Sequence, residues 1–367
     1  MRYYIIAGEA SGDLHASNLI KGLKNLDSDP EFRCWGGDKM ETAGATLVKH
    51  YRDLAFMGFL EVILNLRTII KNLRFCKNDI IQFNPDVLIL VDYPGFNLRI
   101  AEYAFKKGIK VFYYISPQVW AWKQSRVKKI RRYVNKMFVI LPFEKEFYAK
   151  YNYHVDFVGH PLMDAIDDEL RRNDNDDFRA RNNLDDRPII ALLPGSRKQE
   201  ISRILPEMIK IIPEYQDFQF VIAGVEAIPE SQYMNKEAKV VFKQTYELLK
   251  NAAAAIVTSG TATLETALYE VPEIVCYRGS LFSYLLAKKF IKIQFISLVN
   301  LIMNRAIIRE LIQKELNINN LKQELDRILF DESYRDKIIS DYKLLKNELG
   351  GKGASNTTAE LIMKYME

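Results

Sequence analysis

Runs of consecutive apolar residues, each closed by a turn and followed by a helical pattern, recur along most of this chain. A stretch crowded with charge at 164–187 divides them into two series. "DVLILV" at 86–91 and "IIALL" at 189–193 show no polar alternation, as expected of strands buried on both faces. Such strands alternating with helices imply parallel sheets with helices on both sides. The first series places strands at 3–7, 32–36, 86–91, 110–115, 136–141 and 154–158, and helices at 14–26, 97–107 and 125–133. The second places strands at 189–193, 219–223, 239–242, 255–257 and 273–277. Its helices fall at 200–212, disturbed by Pro206, and at 245–252 and 261–269. From about 321 the tail is helical, interrupted by "LGGKGASN" at 349–356.

The expected fold is therefore α/β, with two tandem Rossmann-like domains at 1–168 and 187–340. A helical tail at 341–367 packs toward the first domain. Ligands of open parallel sheets gather at the carboxyl ends of the strands, so the active site is expected in a cleft between the domains. At 367 residues the chain exceeds one ordinary core. Its net charge of +5 is far below that of a dedicated nucleic-acid binder, and no nucleic-acid partner is expected. Cys34, Cys76 and Cys276 make neither a metal-ligand spacing nor a disulfide framework, which points to a reducing, cytoplasmic compartment. No signal peptide is read at the N-terminus. Lys288, Lys289 and Lys292 break the apolar run at 281–296 before it could span a bilayer.

Two loops of the second series suit phosphate. "ALLPGSRKQEI" at 191–201 ends a buried strand in a turn, where Gly195 admits close backbone approach, Ser196 and the next amides donate, and Arg197 offers a planar fork. "IVTSGTATLETAL" at 256–268 repeats the arrangement: Ser259, Gly260, Thr261 and Ala262 open a helix whose N-terminus suits a diphosphate. Glu265, one turn in, is placed to accept from a ribose diol. An ordinary strand-turn-helix connection with a solvated Arg197, and a plain capping box at 261–265, explain the same residues singly. Two such loops in one domain favour a nucleotide. Neither matches the Walker pattern. Asp174 and Asp176 have a metal–diphosphate spacing, but they lie in a charged linker and follow no strand, so no metal or other cofactor is expected.

In the first series, "LILVDYPGFN" ends a buried strand in Asp92, where general bases sit. Asn97 reads as the cap of the next helix, and Asp92 could equally stabilise only its own turn. "AGEASGD" at 7–13 has the shape of an anion loop but carries Glu9 and Asp13, which repel phosphate. Glu9 is a weaker candidate for acid–base work, and Asp13 a brace of the helix start. His160, ending the last strand of the series, is an acid/base or phosphate-donor candidate, with turn packing as the alternative.

Two stretches suit a lipid surface. "LAFMGFLEVILNLRTIIKNLRF" at 54–75 is amphipathic, with Met57, Phe59, Leu60 and Ile63 apolar and Arg67, Lys71 and Arg74 in a basic row. Core packing explains the apolar residues equally well. "YYISPQVWAWKQSRVKKIRRY" at 113–133 joins Trp120 and Trp122 to Arg126 and a strongly cationic helix. A solvated helix face is the alternative.

These segments together resemble the lipid A disaccharide synthase family, inverting glycosyltransferases with two Rossmann-like domains (the GT-B fold). The resemblance rests on "AGEASGD", "MGFLEV", "VDYPGFN", "ISPQVWAWKQSR", "LPFEKEFY", "FVGHP", "LLPGSRKQEI", "SGTATLE" and "ISLVNLIMNRAIIRELIQKE", and runs nearly end to end. It implies a UDP-2,3-diacylglucosamine donor and a 2,3-diacylglucosamine 1-phosphate acceptor, joined as a β-1,6 disaccharide phosphate with release of UDP. It implies that Asp92 is the essential acid and that Arg197 and Asn300 are needed for activity. The donor belongs in the second domain and the acceptor in the first, on an enzyme docked at the cytoplasmic face of the inner membrane. Val299, Gly95 and Asn304 depart from the family's usual residues. The residues alone leave open a UDP-N-acetylglucosamine epimerase, a peptidoglycan-type glycosyltransferase or a non-catalytic binding protein. They also leave open the oligomeric state, a homodimer included.

Overall fold

Each apolar run forms a strand in the computed structural model, which describes residues 1–53, 66–171, 178–233, 237–279 and 294–367. Asp174, Asp176, Met57, Phe59, Leu60 and Ile63 lie outside the described residues. The chain divides into two compact units, Met1–Asp164 with Leu349–Glu367, and Ala165–Glu348.

Among the described residues the first unit holds a seven-stranded sheet: β1 (Arg2–Ala7), β2 (Glu31–Gly36), β3 (Thr46–His50), β4 (Val87–Val91), β5 (Lys110–Tyr114), β6 (Lys136–Val139) and β7 (Asp156–Phe157). Their order is β3-β2-β1-β4-β5-β6-β7. The second unit holds a six-stranded sheet: β8 (Ile189–Leu193), β9 (Gln219–Gly224), β10 (Ala238–Phe242), β11 (Ala252–Thr258), β12 (Glu273–Tyr277) and β13 (Glu310–Ile312), in the order β10-β9-β8-β11-β12-β13. Every described pairing is parallel. The central strands β4 and β8 are buried at every residue, which is why their sequences show no alternation.

Strand order places a crevice in each unit. The first sheet runs outward in both directions from β1 and β4, and the second from β8 and β11. At such a switch point the two following connections diverge to opposite faces and open a crevice at the strands' carboxyl ends. Ala7 pairs with Val91 at the end of one crevice, and Leu193 pairs with Val257 at the other.

The helical tail begins its return to the first unit at Leu349 and not at 341. Residues 341–348 belong to helix Glu332–Glu348 of the second unit. Helix Ala354–Met366 packs on helix Ala10–Leu26. Gly22 permits the approach, since a Cβ there would stand 3.0 Å from Asn356 Oδ1 and 3.2 Å from Ala359 Cβ. Ala359 and Ile362 are fully buried in the same core cluster as Leu19 and Leu23.

Candidate active site

The crevice of the first unit is built from two short turns. After β4 the chain enters the left-handed region at two successive non-glycine residues, Asp92 (φ 43°) and Tyr93 (φ 50°). Each such residue costs about 1–3 kcal/mol and persists only when its surroundings over-determine it. Here the Asp92 carbonyl accepts from Asn97 Nδ2 at 2.7 Å and from Tyr113 Oη at 2.5 Å, and the Asp92 N–H donates to the Tyr114 carbonyl at 3.3 Å. Asn97 is therefore not the helix cap; its amide reaches back to pin the turn, and also donates to the Val91 carbonyl at 3.2 Å. The turn lays the Tyr93 ring over Gly8, where a Cβ would come within 2.2 Å of the ring. That contact explains the first glycine of "AGEASGD".

Burial, and then the neighbouring Glu9 carboxylate, push the Asp92 carboxyl up to about 6. That is a useful value for a group that must take a proton near neutral pH. Glu9 itself is exposed at the start of helix Ala10–Leu26. Asp13 braces a different helix from its own. It is buried, and its carboxylate accepts from the N–H groups of Gly37, Lys39 and Met40 at 2.8, 3.2 and 3.1 Å, capping helix Asp38–Thr42.

His160 is buried, and its Nδ1 accepts from the Leu162 N–H at 3.2 Å, leaving the ring proton on Nε2. Burial first and the nearby His15 second lower it to about 3. Burial and the Lys39 ammonium lower His15 to about 4. Both rings are therefore neutral at physiological pH.

The second unit's crevice gathers Gly195, Ser196, Arg197, Ser259, Gly260, Thr261, Ala262 and Glu265 around one cavity of about 370 Å³. Gly195 has φ 107°, a conformation glycine adopts without strain. A Cβ there would also fall 2.6 Å from Glu200 Oε2. Glu200 was not among the expected site residues. Its carboxylate accepts from the N–H groups of Ser196 at 3.2 Å and Arg197 at 3.3 Å, and lies 3.5 Å from the Arg197 guanidinium. Its place in the first turn of helix Lys198–Met208 was the available signal, because an acid there reaches back to the preceding amides. The loop thus already holds an anion on the groups that suit a phosphate.

Thr261 and Ala262 open helix Thr261–Leu268, whose first amides have no intrahelical acceptor. Glu265 does not close a capping box. Its carboxyl, raised by burial, accepts from Tyr246 Oη at 3.2 Å. Ser259 lines the cavity, yet its N–H donates to the Cys276 carbonyl and its hydroxyl to the Ile296 carbonyl, each at 2.9 Å. Both of its donors are engaged, so it braces the loop. Asn300 does not border this cavity. It is buried, with Nδ2 donating to the Ile308 carbonyl and to Glu310, and Oδ1 accepting from the N–H groups of Ile307 and Ile308.

The expected lipid-facing residues separate. Arg67 and Lys71 are exposed on helix Leu66–Phe83, beside Ile70 and Phe75, which are 41% and 47% exposed. Trp120 is buried, edge-on against Phe143 with ring centroids 5.0 Å apart, which removes it from any lipid-facing surface. Trp122 is 45% exposed, with Lys123 4.2 Å and Arg126 5.6 Å from its ring. Among the described residues no helix is long and apolar enough to cross a membrane, and no three His, Cys, Asp or Glu side chains gather to hold a metal ion.

Residues 3–364 match the family described as lipid-A-disaccharide synthetase. The lipid-A-disaccharide synthase of Trichlorobacter lovleyi is 37% identical over 100% of this chain and 98% of that protein. That of Syntrophus aciditrophicus is 38% identical over 99% and 97%. Among solved structures, the UDP-GlcNAc 2-epimerase of Neisseria meningitidis, bound to UDP-GlcNAc, superposes with a TM-score of 0.71 at 12% identity, covering 99% of this chain and 100% of that one. The calicheamicin glycosyltransferase superposes with a TM-score of 0.64 at 14% identity, covering 100% and 98%. At such identities the two structures speak for a shared fold, that of the GT-B glycosyltransferases.

Proposed function

Because the chain belongs to the lipid-A-disaccharide synthetase family and forms the lipid A disaccharide, we propose that it transfers 2,3-diacylglucosamine from its UDP carrier to the 6-hydroxyl of 2,3-diacylglucosamine 1-phosphate. The observation that carries this assignment of parts is the pair of switch-point crevices. One presents a carboxyl with a raised pKa, and the other presents backbone amides and an arginine around an anion-suited cavity.

In this reading the first unit takes the acceptor. The Asp92 carboxylate removes the proton of the attacking hydroxyl as that oxygen bonds the donor's anomeric carbon from the face opposite UDP. Inversion requires such a base. Burial, and then Glu9, keep the Asp92 carboxyl basic enough to accept the proton, and Glu9 is placed to orient the sugar. The second unit takes the donor. The amides of Thr261 and Ala262 and the guanidinium of Arg197 receive the charge that develops on the departing diphosphate, and Glu265 accepts from the ribose. Glu200 yields the amides of residues 196 and 197 to the diphosphate. With Arg197 and a helix N-terminus to neutralise the leaving group, the transfer needs no metal. The basic row with Ile70 and Phe75, and Trp122 with its two cations, dock the enzyme on the anionic cytoplasmic face of the inner membrane.

The test is to incubate the protein with both diacylated sugars, with and without a chelator. Equimolar UDP and disaccharide 1-phosphate, unaffected by the chelator, are expected. Absence of disaccharide with chemically intact substrates would overturn the reading.

A further inference from the structure

Asn300 does not border the cavity of the second unit; its side chain instead holds Glu310. The Glu310 carboxylate accepts four hydrogen bonds: from the Ile296 N–H at 3.0 Å, the Ser297 N–H at 2.9 Å, the Ser297 hydroxyl at 2.7 Å and Asn300 Nδ2 at 3.0 Å. Asn300 in turn fixes where β13 begins. It donates to the Ile308 carbonyl at 2.9 Å and accepts from the N–H groups of Ile307 at 2.8 Å and Ile308 at 3.1 Å. The peptide that Glu310 clamps presents the Ile296 carbonyl to the Ser259 hydroxyl at 2.9 Å. Ser259 is the residue from which the loop enters helix Thr261–Leu268. A continuous chain of hydrogen bonds therefore runs from Asn300 through Glu310 and the 296–297 peptide to the loop whose amides border the cavity.

We propose that Glu310 is a positioning residue of the donor site, setting through Ser259 the direction of the amides that bind the diphosphate. The proposal rests on the reading that this cavity holds the donor's nucleotide. Amide donors act on a diphosphate only when pre-aimed, and the aim of a loop is set by what anchors its ends. Glu310 is suited to anchor because one carboxylate can accept several donors at once. A glutamine there offers one accepting oxygen and turns an NH₂ group toward the backbone N–H groups it should receive.

The experiment measures UDP affinity by calorimetry for the full chain and for Glu310→Gln, Ser259→Ala and the double variant, below the melting temperature of each. Wild type binds UDP, and each single variant weakens binding roughly tenfold, the scale of one hydrogen bond to a charged group. The double variant is no weaker than the worse single one, because both break one link. In turnover assays the donor KM rises while the acceptor KM holds, which a merely structural role would not produce. If Glu310→Gln does not stay folded, Glu310→Asp, which keeps the charge and shortens the reach, is judged by the same criteria. Unchanged UDP affinity in a folded Glu310 variant, or effects that multiply in the double variant, would refute the positioning role. Failure of wild type to bind UDP would instead overturn the donor-site reading and this inference with it.

Discussion

Replacing Asp92 by asparagine sets catalysis against stability. Burial and Glu9 raise its carboxyl from 3.8 to about 6, and that gap corresponds to ~3 kcal/mol at most. The sign follows from the direction. A carboxyl whose folded pKa lies above its unfolded value is at no disadvantage while protonated, below about pH 4. It destabilises the fold increasingly as pH rises through 6, where it ionises. Asp92→Asn removes that ionisation. The variant should be inactive yet more stable than wild type at pH 8, by up to ~3 kcal/mol, with the advantage vanishing toward pH 4. Chemical denaturation at pH 4, 6 and 8 measures it. The same value sets the acid limb of wild-type kcat/KM, since only ionised Asp92 accepts a proton. At pH 5 the rate should be about a tenth of its plateau. Glu9→Gln, by removing a like charge, should move that limb to lower pH. An Asp92→Asn protein that turns over normally, or one less stable than wild type at pH 8, would show the reasoning wrong.

Gly8→Ala forces a methyl into the Tyr93 ring and should cost about 1–3 kcal/mol of stability, with kcat falling more than either KM because the Asp92 turn shifts. Gly195→Ala must adopt φ 107° and displace Glu200. It should raise the donor KM about tenfold while leaving the pH profile in place; an unchanged donor KM would remove the loop from the donor site. Trp122→Ala should weaken binding to anionic vesicles with an unaltered melting temperature. Trp120→Ala, which empties a buried site, should instead lose about 3–5 kcal/mol of stability. Ile362→Ala, fully buried in the first unit's core, should cost about 2–5 kcal/mol, read by urea denaturation.

The loops after β4, β8 and β11 are legible in the sequence because each follows a run apolar enough to be a buried strand. Asp92, Arg197 and Thr261 stand at the ends of those runs. The edges of the sheets are not legible in the same way. β3 ("TLVKH") is half-buried and carries Lys49 and His50, so it lacks the apolar signature. β13 is only three residues long and opens on Glu310. Side-chain direction in irregular segments is also hidden. Trp120 and Trp122 are two residues apart in a loop with no period to assign their faces, and one is inside while the other is out. The residue that engages the Ser259 hydroxyl lies 37 positions further on, a distance no local pattern spans. Glu200 was within reach, since helix-start acids commonly bond the preceding amides. Strand order, which assigns a crevice to each unit, follows from topology and not from any single stretch.

The packing of helix Ala354–Met366 against helix Ala10–Leu26 bears on how the protein is made. The first unit draws its core from segments far apart in the chain, with Ala359 and Ile362 beside Leu19 and Leu23. During synthesis the ribosome delivers residues 1–164 long before residue 362 emerges. The second unit, continuous from Ala165 to Glu348, is the first whose whole sequence can fold. The N-terminal unit must wait with the apolar face of its first helix uncovered until residues 354–366 emerge. Deleting residues 354–366 would therefore do its damage in the unit that carries Asp92.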